Sequence, residues 1–291
     1  MKRVIYKIDS GELDFRIGGD YVLSSIDTDD GDADVQTESY IGSDGEDVQE
    51  VLYNARSVEI KGYIRAQNAM HLQLLREKLV RLCDMKKNGT LTVVSGGRQY
   101  IADVRPESLP TFGDVKQYMQ NFVCMFSIPK FWWKKKNPGG NVMNAFSRSD
   151  LITSETVFEE GGNILTRRIG GGTIINRGDT AGDVIITIVC NIAAPSADSV
   201  IKIIHTLPDG SETEMTINHD MSTGETVVID TERSTIKSYI DGDEVNILHK
   251  LDGDFVKLPV GENTFTVLNS LGGDIAVKIE YYDRFAGVGI C

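Results

Sequence analysis

The chain has 291 residues, with 30 Lys and Arg against 43 Asp and Glu, a net charge of −13. That balance argues against a surface built to hold nucleic acid, because phosphate contacts come from Lys and Arg. Hydrophobic residues at 41% and charged residues at 25% fit a folded chain of up to two domains rather than a disordered one, and no stretch nears the ~20 apolar residues of a membrane helix.

The charge is unevenly spread. Between Arg16 and Arg56 there is no Lys or Arg, yet eleven acids fall there: Asp20, Asp27, Asp29, Asp30, Asp32, Asp34, Glu38, Asp44, Glu46, Asp47 and Glu50. Read locally, the run is a solvated acidic loop. Asp27 to Asp34 imitates a calcium loop, with Glu38 at the twelfth position. The imitation fails because Gly31 falls fifth and Asp32 sixth, whereas an EF-hand needs an oxygen ligand fifth and Gly sixth. Met1 to Lys7 has a basic flank without the apolar run of a signal peptide, so synthesis in a cytosol is expected.

Val58, Ile60, Gly62 and Ile64 alternate with Glu59, Lys61 and Tyr63, the period of a half-buried strand over Arg56–Arg65. A helix follows, with Asn68 as N-cap and Leu72, Leu75, Leu79 and Leu82 forming one apolar stripe. Lys86 and Lys87 complement the helix dipole, and Asn88-Gly89 reads as its stop. Thr90–Val94 and Gln99–Val104 flank Gly96-Gly97 as a β-hairpin, and Asn121–Ile128 is a further strand. Phe131, Trp132 and Trp133 are expected to close the first core. The run from Lys134 to Gly140 is charged, then rich in breakers, and reads as a solvated linker between a domain at 1–136 and one at 137–291.

Beyond residue 141 no helix pattern survives. Val184, Ile186, Ile188 and Cys190 share a face, and Val200–His205 and Met215–Ile217 flank a Pro208-Asp209-Gly210 turn. Asp241-Gly242, Asp252-Gly253 and Gly272-Gly273-Asp274 mark more turns, and Ile275, Val277, Ile279 and Tyr281 alternate in a late strand. An antiparallel β-sandwich is the economical reading.

Motifs for chemistry are absent: no nucleophile elbow, no zinc-protease helix, no phosphate-cradling loop and no dinucleotide fingerprint. The reading is therefore of a protein that is not an enzyme and holds no cofactor or metal. His205 and His219 could face each other across a hairpin as metal ligands, but two exposed polar positions explain them as well. Cys83, Cys124, Cys190 and Cys291 read as isolated thiols acting as small apolar groups. Arg177-Gly178-Asp179 is the tripeptide that integrins read, and also a simple turn.

Order along the chain carries one resemblance. The strand Arg56–Arg65, the Leu-striped helix, the Gly-Gly hairpin and the strand closing at Pro129 and Trp132 are followed by Ile175-Asn176-Arg177-Gly178-Asp179. Ile229-Asp230-Thr231, an Asp-Gly turn and Pro259-Val260-Gly261-Glu262-Asn263 come next, and Tyr281 ends the last strand. This set resembles the phage distal tail proteins. The resemblance implies a mainly β protein: an α+β tail-tube-like split barrel or sandwich with one helix and a hairpin, then a galectin-like antiparallel sandwich. It implies a structural role at the virion tail tip, as a ring of six copies joining the tail tube to the tip. Its partners would be itself, the tube protein, tail-tip proteins and, in some members, receptor-binding proteins, with DNA only in transit and no membrane.

A ring that passes DNA is suited by an acidic wall, which repels phosphate. Part of the stretch from Asp20 to Glu50 is therefore expected to line the lumen, with Asp27, Asp29, Asp30, Asp32, Asp34, Asp44, Glu46 and Asp47 as candidates. The alternative is a carbohydrate-binding module for attachment to the host surface, since galectin-like sandwiches stack aromatics on sugar rings. The second half has no Trp and few aromatics, which weakens that alternative.

Overall fold

The structure, a computed structural model, describes residues 2–28, 31–39, 44–136, 142–146, 156–158, 165–193, 200–270 and 274–287. The chain divides into two compact units, residues 1–137 with 285–291, and residues 138–284. Of the features expected above, Asp29, Asp30, the linker glycines Gly139 and Gly140, the turn glycines Gly272 and Gly273, and Cys291 lie outside the described residues.

The first unit contains β1 (Arg3–Ile8), β2 (Gly11–Arg16), β3 (Tyr21–Thr28), β4 (Ala33–Glu38), β5 (Asp47–Tyr53) and β6 (Arg56–Arg65). Helix α1 (Ala69–Leu82) follows, then β7 (Gly89–Ser95), β8 (Arg98–Pro106), β9 (Thr111–Lys116), β10 (Met119–Ile128) and β11 (Trp133–Lys136). Strands run in the order β8-β7-β1-β2-β3-β6-β10, and β10 then pairs back onto β8 through Phe126↔Pro106 and Ser127↔Arg105, closing seven strands into a barrel. Period-two alternation fills it. Val4, Tyr6, Leu13, Phe15, Val58, Ile60, Ile64, Leu91, Phe122, Cys124 and Phe126 point inward and are buried. Aromatic rings interlock there, Tyr6 against Phe126 at 4.7 Å and Phe15 against Phe122 at 5.6 Å.

Leu72, Leu75, Leu79 and Leu82 of α1 are buried in the same core. Asn68 caps the helix by accepting the His71 N–H at 2.8 Å, and the Tyr21 hydroxyl donates to the Leu75 carbonyl at 2.8 Å. The helix ends earlier than the sequence suggests. Cys83 donates its N–H to the Leu79 carbonyl at 3.0 Å, and Gly89 opens β7 instead of stopping the helix. Gly89 is glycine for another reason: a Cβ there would lie 2.5 Å from the Tyr6 ring and 2.7 Å from the Lys7 carbonyl oxygen. The Gly96-Gly97 turn is as expected, both residues having positive φ (56° and 78°) between β7 and β8.

Of the three aromatics expected to close the core, Trp133 does so, fully buried, whereas Phe131 is buried outside that cluster and Trp132 is half-buried. The lysines beyond them are not a solvated linker. Lys134 to Lys136 pair with Ile101, Tyr100 and Gln99 in β8, and Lys134 reaches Asp103 at 3.5 Å.

The second unit holds β12 (Val142–Phe146), β13 (Thr156–Phe158), β14 (Leu165–Asn176), β15 (Val184–Ile192), β16 (Val200–Thr206), β17 (Glu212–Asn218) and β18 (Thr226–Asp230). Then come β19 (Thr235–Ile240), β20 (Asp243–Asn246), β21 (Leu251–Gly253), β22 (Gly261–Ser270) and β23 (Asp274–Tyr281), while β24 (Asp283–Phe285) carries the chain back to the first unit. Two six-stranded antiparallel sheets, β12-β23-β15-β18-β19-β20 and β13-β14-β22-β16-β17-β21, bury one shared core from Ile186, Ile188, Val227, Ile229, Val277 and Ile279 on one side and Ile201, Ile203, Met215, Phe265 and Val267 on the other. This is the expected sandwich. A single turn of 3₁₀ helix, Leu248–Lys250, was not expected, and Asp252-Gly253 lies in β21 rather than in a turn.

The sequence features behind the resemblance are buried polar fasteners. Asn176 donates to the carbonyls of Thr180 (3.0 Å) and Leu258 (2.8 Å) and accepts the Gly178 N–H at 2.9 Å. Thr231 exchanges hydrogen bonds with both backbone groups of Val184. Asn263 donates to the carbonyls of Pro259 and Gly261, each at 2.9 Å. Each satisfies backbone groups that a loop would otherwise leave unpaired inside the sandwich.

Two outcomes test these arrangements. A Cβ at Gly62 would lie 2.3 Å from the Val22 carbonyl oxygen and 2.8 Å from the Phe122 ring, so Gly62→Ala forces β3, β6 and Phe122 apart. Chemical denaturation of that variant should show a loss of about 1–3 kcal/mol, and unchanged stability would contradict the packing. In the second unit, burial pushes the Glu225 carboxyl up, but hydrogen bonds from Ser238, His219 and the Ser222 N–H together outweigh it and hold the group below its ordinary 4.5. A depressed folded pKa gives stability that is full above 4.5 and lost as pH falls through the folded value. Melting followed by far-UV circular dichroism should therefore drop below pH 4.5, and Glu225→Gln should lower stability at pH 7 while flattening that dependence.

Candidate functional site

The acidic segment is a hairpin, not a loop. β4 and β5 pair through Ala33↔Tyr53, Asp34↔Leu52, Val35↔Val51, Gln36↔Glu50, Thr37↔Val48 and Glu38↔Asp47, with an extra residue at Gln49. Because facing residues share a side, this register sorts the side chains. One face carries Ala33, Val35, Thr37, Val48, Val51 and Tyr53; the other carries Asp34, Gln36, Glu38, Asp47, Glu50 and Leu52. Neither face is covered: Val35 is 49% exposed, Val48 59%, Val51 46% and Leu52 45%.

The candidate acids separate accordingly. Asp34 and Asp47 stand together on the polar face, joined there by Glu38 and Glu50. Asp32 shapes the start of the hairpin, its side chain accepting the Ala33 N–H at 2.8 Å and its carbonyl accepting the Asn54 N–H at 2.9 Å. Glu46 accepts from the Thr37 hydroxyl at 2.6 Å, and Asp44 is exposed in the bend between the strands. Asp27 lies apart, in β3 opposite Glu59.

Aromatic packing anchors the hairpin's base. Tyr53 meets Phe131 at 4.5 Å and Trp132 edge-on at 5.0 Å, and the Arg56 guanidinium sits 4.9 Å over the Phe131 ring. Gly31, at φ 77°, leaves the space Phe131 fills, since a Cβ there would lie 2.5 Å from that ring.

Helix α1 presents the opposite chemistry. A groove of about 680 Å³ runs beside it, lined by Leu72, Arg76, Val80, Arg81 and Phe112, with the Arg76 guanidinium 4.8 Å over the Phe112 ring. Met70 and Leu74 are exposed on the same helix, at 76% and 58%. The sequence hides this groove, because Phe112 comes from β9 and meets the helix only in the fold.

The histidines do not meet. His205 is buried, not an exposed hairpin position; its ring stacks on Phe265 at 4.4 Å and Nε2 bonds Asn263 at 2.9 Å. Burial holds the His205 pKa below its usual value. His219 bonds Glu225 at 2.6 Å instead. In that cluster the carboxylate is central, with Ser238 and His219 both on Glu225, so no serine is activated by a histidine. Among the described residues no three His, Cys, Asp or Glu side chains are grouped to hold a metal. The Arg177-Gly178-Asp179 turn is fixed from within: Asp179 N–H donates to the Arg284 carbonyl at 2.7 Å, and a Cβ at the buried Gly178 would lie 2.4 Å from that oxygen.

Comparison with known proteins accounts for both units. The phage tail protein RIFT-related domain matches residues 8–160, and the siphovirus-type tail component C-terminal domain matches residues 181–285. The crystal structure of the Dit protein of phage SPP1, described as a paradigm of the hub adsorption apparatus in phages infecting Gram-positive bacteria, is similar over 97% of this chain and 99% of its own. The identity is 12% and the TM-score 0.62. Two structures of the phage p2 baseplate in its activated conformation, with Sr and with Ca, align over 96% of this chain and 98% of theirs. Their identities are 12% and 13%, and their TM-scores 0.53 and 0.52. No curated protein sequence matches the chain. With family matches over both units and a shared fold along nearly the whole length, the chain belongs to the siphophage distal tail proteins, structural components of the phage tail.

Proposed function

We propose that this protein assembles with copies of itself into a six-membered ring at the distal end of the tail, joining the tail tube to the tail-tip proteins and passing DNA through an acidic lumen. The observation that carries this reading is the two-faced hairpin β4–β5. Its valines stay exposed although Val35 and Val51 face each other across the strand pair, and burying apolar surface is worth roughly 25 cal/mol per Å². A neighbouring copy is the natural cover for that face. Once it is covered, Asp34, Glu38, Asp47 and Glu50 stand on the other side, where they face a channel and repel phosphate.

The groove beside α1 supports the same reading. Arg76 and Arg81, with Val80 and Phe112, offer cations and apolar walls on a chain whose net charge is −13, so acidic and apolar edges of a second copy find a complementary surface there. The tube protein, tail-tip proteins and receptor-binding proteins are the remaining partners of such a hub. Synthesis belongs in the host cytoplasm, with the mature position at the virion tail tip.

Light scattering on a sizing column, followed by negative-stain imaging of the full chain, tests the assembly. The expected result is six-fold rings with a central hole. The double variant Val35→Lys with Val51→Lys should stay monomeric while melting like the parent, because both side chains are already half exposed. If that variant forms rings as readily as the parent, the hairpin is not the contact; rings with the acids on the outer rim would overturn the lumen assignment.

A further inference from the structure

Helix α1 carries two cations that make no ion pair among the described residues. Arg76 and Arg81 are both exposed on the wall of the groove of about 680 Å³. The acid beside them, Glu77, accepts a hydrogen bond from Gln73 at 3.0 Å. Arg76 is also aimed, because its guanidinium rests 4.8 Å over the Phe112 ring. A guanidinium already held by an aromatic face loses less freedom when a carboxylate arrives. Leu72, Val80 and Phe112 give the same groove an apolar floor.

Hairpin β4–β5 carries the complement. Its base is tied down where Tyr53 meets Phe131, and the paired strands carry its tip outward by about 20 Å, at ~3.4 Å per residue. Asp44 and Glu46 stand at that tip, both exposed, and neither makes an ion pair among the described residues. Glu46 accepts from the Thr37 hydroxyl at 2.6 Å, and Thr37 lies on the face that carries Val35 and Val48. The tip acids and the valine row can therefore enter one surface together. Asp34, Glu38, Asp47 and Glu50 keep the opposite face.

Granted the ring proposed above, we infer that the tip of hairpin β4–β5 in one copy docks into the groove beside α1 of the next copy. Asp44 and Glu46 meet Arg76 and Arg81, and the valine row lies along Val80 and Phe112. Carboxylates pair with guanidinium groups through two parallel hydrogen bonds, which fixes register as well as attraction. Each copy offers one tip and one groove, so the contact runs head to tail. An open row of copies leaves a tip and a groove unfilled at its ends, and only closure fills them all. The contact also leaves the second face of the hairpin acidic and uncovered, as a channel wall requires.

Two full-length variants test the docking. Arg76→Glu with Arg81→Glu reverses the groove, and Asp44→Lys with Glu46→Lys reverses the tip. All four side chains are exposed, so both variants should melt with the parent. The parent, each variant and their equimolar mixture are compared by light scattering on a sizing column and by negative-stain imaging. The expected result is rings from the parent, monomers from each variant alone, and rings again from the mixture. Rescue follows because a reversed tip fits a reversed groove, and the two variants alternate around a ring of even number. Rings from the parent and from either variant alone would overturn the docking while the ring reading stands, and the groove would then belong to a different partner. A mixture that stays monomeric beside a ring-forming parent would overturn it too. A parent that forms no rings at any salt concentration would bring down the ring reading, and the docking with it.

Discussion

The first unit depends on one strand doing two jobs. Along its whole length β10 pairs with β6, from Met119↔Arg65 to Ile128↔Arg56, and at its end it also pairs with β8. That second pairing turns an open sheet into a barrel of seven strands, joining β10 to β8. It also explains where small residues must fall. Gly62 lets Phe122 of β10 and the backbone of β3 approach β6, and Gly89 lets β7 lie against Tyr6. Helix α1 then covers the interior with four leucines, and Trp133 seals the same core.

The second unit is held differently. Its sheets share an apolar core, but its loops are pinned by buried polar side chains: Asn176, Thr231, Asn263, and Glu225 with its three donors. A buried carboxylate is costly unless fully bonded, and here each oxygen has a partner. These residues fix backbone in loops that the apolar core does not reach.

Much of this was legible from residue spacing. The Leu stripe of α1, the alternation of β6 and β10, the Gly-Gly turn and the inward face of β15 rest on local periodicity, which the fold leaves intact. Contributions from distant segments were not legible. His205 looked like an exposed hairpin position until Phe265 and Asn263 enclosed it, and Gly89 looked like a helix stop until Tyr6 arrived beside it. Most instructive is hairpin β4–β5. Ala33, Val35 and Thr37 alternate as a strand should, and so do Val51 and Tyr53, but the acids between them dominated the reading.

The polar face of that hairpin acts at a distance as well as in contact. Before two copies touch, their carboxylates repel across a range set by the Debye length, about 30 Å at 0.01 M salt and about 8 Å at physiological ionic strength. The apolar face has no such reach. In a ring built as proposed, encounter is therefore slow in dilute salt and faster as ions screen the acids. In that ring the acidic arm would be a kinetic brake, keeping newly made chains apart until the ionic setting, or a basic partner surface, releases it.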